Sequence, residues 1–293
     1  MGVLTEHRVA VPFRAPVAGM GVVNAVLFEG PSGWGEWSAP PPGYAADPAR
    51  GRRAAEEAAY GGWPPAVRDR VPVNALVPAV DPATAASLAA EAVAAGARCV
   101  KVKVGDLSGG GRVAAVRDAA GPGVLLRLDA NRAWDVETAA SFLGRLAGHD
   151  IELVEDPVPT IEDLARVRRR LPMPVAADEC VRSVDDARRL RALDAADAVV
   201  VKVQPLGGVA AALEVAEAAG VPAIVSSLYE TSVGVAAGLA LAASLPELPY
   251  ACGLGTAALL AGDVVADPLV PVNGELAVRR PVPDPSLVAR YAR

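Results

Sequence analysis

Histidine is almost absent. The chain of 293 residues has two, His7 and His149, and both read as surface polar residues, so a serine triad has no obvious imidazole to use. Acid–base chemistry then falls to Lys, Asp or Glu. Cysteine is scarce too: Cys99, Cys180 and Cys252 cannot all pair and show no metal-ligand spacing, as expected of a reduced, cytoplasmic enzyme or binding protein. Basic clusters are missing. The net charge is -6, and the densest basic run, Arg166 with Arg168, Arg169 and Arg170, reads as the solvated end of a helix. That leaves no footprint for nucleic acid or anionic lipid. Long apolar runs are also lacking: Thr231–Pro246 is uncharged but too short to span a bilayer, and Met1–His7 has neither the basic nor the apolar part of a signal peptide. The expected partner is a small-molecule substrate, with no nucleic acid and no membrane.

With 52% hydrophobic residues the chain can bury a large core. From Val71 onward, short apolar runs alternate with helix-like segments. Strands are predicted at Val71–Val77, Cys99–Val104, Val124–Asp129, Ile151–Glu155, Val175–Asp178, Ala198–Val203, Ala223–Ser227 and Tyr250–Leu254. Helices are predicted between them at Pro82–Ala95, Val136–Leu146, Ile161–Arg170, Val184–Leu193 and Val209–Ala219. Ser108-Gly109-Gly110-Gly111 delays one further helix to about Arg112–Ala120. Eight strands so arranged suit a parallel α/β barrel better than an open sheet, because no phosphate-binding glycine turn follows the first strand.

Residues 1–70 break the alternation. Strand-like Arg8–Phe13 and Val22–Glu29, a Gly/Trp turn at Gly33–Trp37, a break at Pro40-Pro41-Pro42 and helical Pro48–Tyr60 predict a small α+β domain. Asn273-Gly274 is a hairpin signal and predicts that residues 257–293 return to this domain, leaving 71–256 as the barrel.

In such a barrel, chemistry gathers at the carboxyl ends of strands. Asp129, Glu155 and Asp178 end three successive predicted strands, and neighbouring strands lie about 4.8 Å apart. Three anions so close repel unless a cation sits among them; an all-oxygen set favours Mg²⁺, with Mn²⁺ also accommodated. The plain alternative for any one carboxylate is a salt bridge. Lys101 and Lys103 leave the same face of their strand, with Val100, Val102 and Val104 on the other. Neighbouring positive charge favours a neutral lysine able to act as a base; the plain alternative is again an ion pair at the rim. Lys202 stands on the sixth predicted strand, so a substrate would lie between lysines.

Taken in order, Lys101-Val102-Lys103, Arg127-Leu128-Asp129-Ala130-Asn131, Glu155-Asp156-Pro157, Asp178-Glu179 and Lys202 resemble the enolase superfamily, in its muconate-lactonising-enzyme subgroup. The resemblance covers the whole chain and implies a (β/α)7β TIM-like barrel with an N-terminal α+β capping domain completed by the C-terminal tail. The compact length, Ser226-Ser227-Leu228-Tyr229-Glu230-Thr231 and Gly253-Leu254-Gly255-Thr256 resemble subgroup members that dehydrate a succinyl-hydroxycyclohexadiene carboxylate in menaquinone synthesis. That resemblance implies Lys103 as the base, Lys202 facing the ring, and Lys101 beside the substrate carboxylate. It implies Arg127, Asn131, Glu179, Ser226, Ser227, Gly253 and Gly255 around the substrate or behind the ligands, with Glu179 paired to a strand lysine. Residues Phe13–Met20 are expected either to cover the substrate or merely to connect. Dipeptide epimerases carry an Asp-x-Asp where this chain reads Cys252-Gly253-Leu254-Gly255, which argues against them. The other readings are an N-acyl (N-succinyl) amino acid racemase, a muconate-type cycloisomerase, a lysine Schiff-base aldolase and a non-catalytic metal-binding barrel.

Overall fold

In the computed structural model, residues 5–293 are described; Met1–Leu4, part of the segment read above as lacking an export signal, lie outside them. The antiparallel strands β1 (Thr5–Val17), β2 (Met20–Gly30) and β3 (Gly33–Ser38) form one sheet in that order. Alternation puts Val9, Val11 and Phe13 on one buried face with Val23, Ala25 and Leu27. Val26 and Phe28 point the other way, against Ala55 and Ala59, in α1 (Pro48–Glu56) and the π-helical turn that continues it.

Two expectations change here. Gly33–Trp37, predicted as a turn, is strand β3, paired with β2 from Gly30↔Gly33 to Ala25↔Ser38. Glycines serve close packing on both sides of this contact: a Cβ on Gly35 of β3 would collide with the Ala55 backbone, and one on Gly51 of α1 with the Trp37 indole. Residues Phe13–Met20 are not a long loop. The ladder resumes at Val17↔Met20, and only Ala18 and Gly19 turn, both at positive φ.

The predicted strand Val71–Val77 divides in two, β4 (Arg70–Pro72) and β5 (Ala75–Val77). β5 opens a parallel sheet that continues in chain order through β6 (Cys99–Lys103), β7 (Leu125–Asp129), β8 (Ile151–Glu155), β9 (Val175–Ala177), β10 (Ala198–Lys202) and β11 (Ala223–Ser226). Between them run α2 (Pro82–Ala94), α3 (Gly109–Ala120), α4 (Val136–Arg145), α5 (Ile161–Arg168), α6 (Val184–Ala192), the short α7 (Val203–Leu206) and α8 (Val209–Ala219). Asp81, Asp135, Thr160 and Ser183 cap the amino ends of α2, α4, α5 and α6. α3 begins at Gly109, earlier than predicted. A side chain there would press on Val104, so the glycines let the helix approach β6.

Tyr250–Leu254 makes isolated pairs and no strand: Cys252 with Val73, and Gly253 with Ser226. Gly253 lies against the Ser226 hydroxyl, with no room for a Cβ. One short segment thus reaches the segment leading into β5 and, at the opposite edge, β11, so the sheet is curled. Val100, Val102, Leu126 and Leu128 face the large helix-side core, while Leu153, Ala176, Ala198, Val200 and Ile224 form a separate small cluster inside the curl.

After β11 comes α9 (Ser232–Ser244), buried on nearly every side. Its sequence has no polar stripe and hence no helical period. No described helix is long and apolar enough to cross a membrane. Asn273 and Gly274, both at positive φ, turn the chain into β12 (Glu275–Ala277), which pairs with β4. Leu260 pairs with Phe13, Ala292 with Val9, and α10 (Pro285–Tyr291) packs on β1.

A buried carboxylate ties the first sheet to α9. Glu36 of β3 accepts from Ser38 Oγ at 2.6 Å, Thr231 N at 2.9 Å, Gly234 N at 2.9 Å and Thr231 Oγ1. Those donors satisfy the amino end of α9. Glu230 beside it lacks such a set, and burial with the neighbouring Glu36 pushes its pKa from 4.5 up to about 8. Between these values the unfolded chain gives up a proton that the folded chain keeps, so stability falls as pH rises through that window. The melting temperature of the wild type is expected to drop from pH 5 to pH 8 more steeply than that of Glu230→Gln. Equal slopes in a thermal titration would refute this.

Candidate active site

Strand register sets the site. Lys103 of β6 lies level with Asp129 of β7, and Asp129 with Glu155 of β8; Lys202 ends β10 level with Ser226. Lys101 Nζ lies 2.9 Å from Asp129 Oδ2 and 2.8 Å from Glu155 Oε1. Lys103 Nζ donates to the same Asp129 oxygen at 2.6 Å and to Asn131 Oδ1 at 2.8 Å. Lys202 Nζ lies 2.5 Å from Asp178 Oδ2. The three lysines and three carboxylates singled out from sequence therefore lie at the carboxyl-terminal side of β6, β7, β8 and β10 and in the turn after β9.

Lys101 and Lys202 are held charged; for Lys101 a neutral form was expected. Burial opposes charge on Lys101, yet Asp129 and Glu155 outweigh it and raise its pKa. Lys202 is raised in the same way, with Asp178 the main opposing cause. Asp129 is buried as well, but Lys101 and Lys103 hold its pKa well below the carboxylate range. Glu155 differs: burial, then the charges of Asp129 and Asp178, push it up to about 7 despite Lys101. Even with Lys101 beside it, Glu155 lacks positive charge, and a cation bound by oxygen ligands meets that need.

A second carboxylate group adjoins the first. Ligand oxygens of Asp156, Asp178 and Glu179 all come within 4.8 Å of one another. The reason is local. Asp156, at positive φ after β8, accepts the backbone N–H of Asp178 and of Glu179, each at 3.0 Å. Glu179 lies 2.5 Å from Arg132 Nη2, so its partner is this arginine and not the strand lysine expected. Asp156 and Arg132 thus hold the turn that presents Asp178.

The other residues named from sequence divide. Asn131 joins the lysine network. Ser226 and Ser227 hydroxyls turn to the Gly253 carbonyl, at 3.4 and 3.1 Å, and Ser227 also meets Thr256 at 3.0 Å. Gly255 leads a 3₁₀ turn at the end of that segment. Arg127 is not brought to the network. It is buried against Glu152 at 2.5 Å and donates to the Ala251 carbonyl at 2.6 Å, plugging the inside of the curl.

Sequence reasoning missed Tyr44, Arg50 and Arg182. A cavity of about 370 Å³ opens beside Lys202, lined by these three with Asp178 and Glu179. The Tyr44 ring centroid is 5.2 Å from Lys202 Nζ, and burial pushes the phenol pKa up to about 12, so it is neutral. A lone aromatic directly after Pro40-Pro41-Pro42-Gly43 was the signal available for it.

A curled parallel α/β sheet, with three carboxylates at successive strand ends flanked by lysines, defines a class. The family described as "Enolase C-terminal domain-like" matches residues 84–284, and the chain belongs to the enolase superfamily. Among curated relatives, o-succinylbenzoate synthase of Thermobifida fusca (strain YX) is 50% identical, over 94% of this chain and 88% of that protein. The o-succinylbenzoate synthase of Mycobacterium marinum (strain ATCC BAA-535 / M) is 46% identical, over 96% and 86%. Among solved structures, muconate lactonizing enzyme from Pseudomonas fluorescens, complexed with muconolactone, aligns with a TM-score of 0.89. It is 23% identical, covering 99% of this chain and 98% of that one, and shares the fold.

Proposed function

We propose that this chain dehydrates 2-succinyl-6-hydroxy-2,4-cyclohexadiene-1-carboxylate to o-succinylbenzoate, in menaquinone biosynthesis in the cytoplasm. The reaction proceeds through an enediolate by syn elimination of water. The observation that carries this reading is the lysine–carboxylate network at the ends of β6, β7, β8 and β10, in a chain 43–50% identical to several o-succinylbenzoate synthases. The fold is read as a (β/α)7β barrel over 71–256, since Cys252 and Gly253 pair at both edges of the sheet. Residues 1–70 form its α+β cap, and 257–293 return to that cap.

Asp129, Glu155 and Asp178 hold a divalent cation, Mg²⁺ by the hardness of the donors, with Mn²⁺ also accommodated. When bound it supplies positive charge to the substrate carboxylate and to the enediolate. Lys103 Nζ, in its neutral form, takes the proton α to that carboxylate. The C–H electron pair passes into the enediolate, which Lys101 and Lys202 stabilise as ammonium groups. As the electrons return, the C–O bond to the ring hydroxyl breaks, and Lys103 gives its proton to the departing oxygen. Water leaves and the ring becomes aromatic, which makes the step downhill.

The test is purified protein with Mg²⁺ and the hydroxycyclohexadiene substrate, followed by ultraviolet absorbance, with an EDTA control. Fast, EDTA-sensitive conversion is expected. No conversion by folded, metal-loaded protein would overturn the dehydratase reading and turn attention to racemisation of N-succinyl amino acids, which needs lysines on two faces of a substrate.

A further inference from the structure

The cavity beside Lys202 holds more positive charge than the dehydration uses. Its carboxylates are already engaged: Asp178 with Lys202, Glu179 with Arg132, and Asp47 with the Ala49 N–H at the start of α1, at 2.9 Å. Its two arginines are not. Among the described residues, neither Arg50 nor Arg182 has a carboxylate within 4.0 Å, unlike the arginines that form ion pairs elsewhere in the chain. Both are nonetheless positioned. Arg50 Nη1 donates to the Arg182 carbonyl at 2.5 Å, and Arg182 Nε donates to the Glu179 carbonyl at 2.9 Å. Each guanidinium keeps N–H groups that no protein acceptor takes, and Tyr44 offers a neutral hydroxyl in the same cavity.

A planar guanidinium fork matches a carboxylate. We infer that Arg50 and Arg182 bind the second carboxylate of a dicarboxylate substrate, the one at the end of its flexible chain, while the first stays at the lysine–carboxylate network. The inference rests on the dehydratase reading and adds to it the groups that select a substrate with a distal anion. Arg50 comes from the capping sheet's helix and Arg182 from the turn after β9, so binding there also draws the cap onto the sheet.

The experiment compares wild type, Arg50→Ala, Arg50→Lys and Arg182→Ala in steady-state kinetics and in calorimetric binding of o-succinylbenzoate and of 2-butyrylbenzoate, which lacks the distal carboxylate. Each alanine variant is expected to raise KM, and the Kd for o-succinylbenzoate, about 10- to 100-fold, with kcat within a few-fold of wild type. Arg50→Lys should recover part of the loss. 2-Butyrylbenzoate should bind wild type and variants alike, and wild type more weakly than o-succinylbenzoate. Unchanged KM and Kd in both alanine variants, or equal loss of both ligands, would overturn the inference. A wild type that binds o-succinylbenzoate through these arginines but never turns the substrate over would instead count against the dehydratase reading alone.

Discussion

Lys103→Ala is expected to reduce kcat by about a thousandfold or more while leaving the fold intact. The two halves of that statement rest on different contacts. Lys103 is the more exposed lysine of its strand, with 24% of its side chain accessible against 12% for Lys101. Removing it leaves Asp129 still paired with Lys101 at 2.9 Å, so no buried charge is stranded. What disappears is the group proposed as the proton carrier. Lys101→Ala should behave differently. Its ammonium serves two buried carboxylates at once, and truncation leaves Asp129 with Lys103 alone and Glu155 with no partner, at a cost of about 3–5 kcal/mol. Kinetics and chemical denaturation on the two variants separate the roles. A Lys103→Ala enzyme with near-normal turnover removes Lys103 as the base, and a Lys101→Ala protein as stable as wild type removes the supporting role of Lys101.

The strands that carry the chemistry were legible because their two faces differ in kind. Val100 and Val102 alternate with Lys101 and Lys103, and Leu126 and Leu128 with Arg127 and Asp129, so the period of two is plain. β8 and α8 have the bounds that the pattern predicts. Legibility failed where packing gave a residue another meaning. Of the glycines that read as a turn, Gly35 is a contact point for α1 and Gly33 lies against the Arg280 side chain. α9 has no polar face because it is enclosed, and a helix without a stripe has no period to find. Arg127 shares a strand face with Asp129, yet side-chain length carries it to Glu152 and the Ala251 carbonyl. Tyr44 and Arg50 lie far from Arg182 in sequence and meet it only because the cap docks beside β9 and β10. No local pattern announces such a meeting.

Which carboxylates hold the cation is the second large effect. Two sets compete, Asp129 with Glu155 and Asp178 at successive strand ends, and Asp156 with Asp178 and Glu179, whose oxygens are the ones that come within 4.8 Å of one another among the described residues. Their remaining hydrogen bonds distinguish them. Both oxygens of Asp156 accept backbone N–H groups at 3.0 Å, and Glu179 faces the Arg132 guanidinium at 2.5 Å. To bind a cation, Asp156 would have to abandon two buried donors, each costing about 1–3 kcal/mol when left unpaired. Asp129 accepts one backbone N–H, from Asn131 at 3.1 Å, on Oδ1, but its Oδ2, Glu155 and Asp178 face lysine ammonium groups, which a cation can displace while the charge stays balanced. Asp129→Asn, Glu155→Gln and Asp178→Asn are therefore each expected to weaken Mg²⁺ or Mn²⁺ binding by more than about 100-fold, and Glu179→Gln by no more than about tenfold. Asp156→Ala should act indirectly, lowering stability by about 2–4 kcal/mol and metal affinity by about 10- to 100-fold, through a loosened Asp178. Calorimetric metal titration after EDTA treatment and dialysis reads all five variants on one scale. If Glu179→Gln lost binding as completely as Asp178→Asn while Glu155→Gln kept it, the cation would belong to the second set.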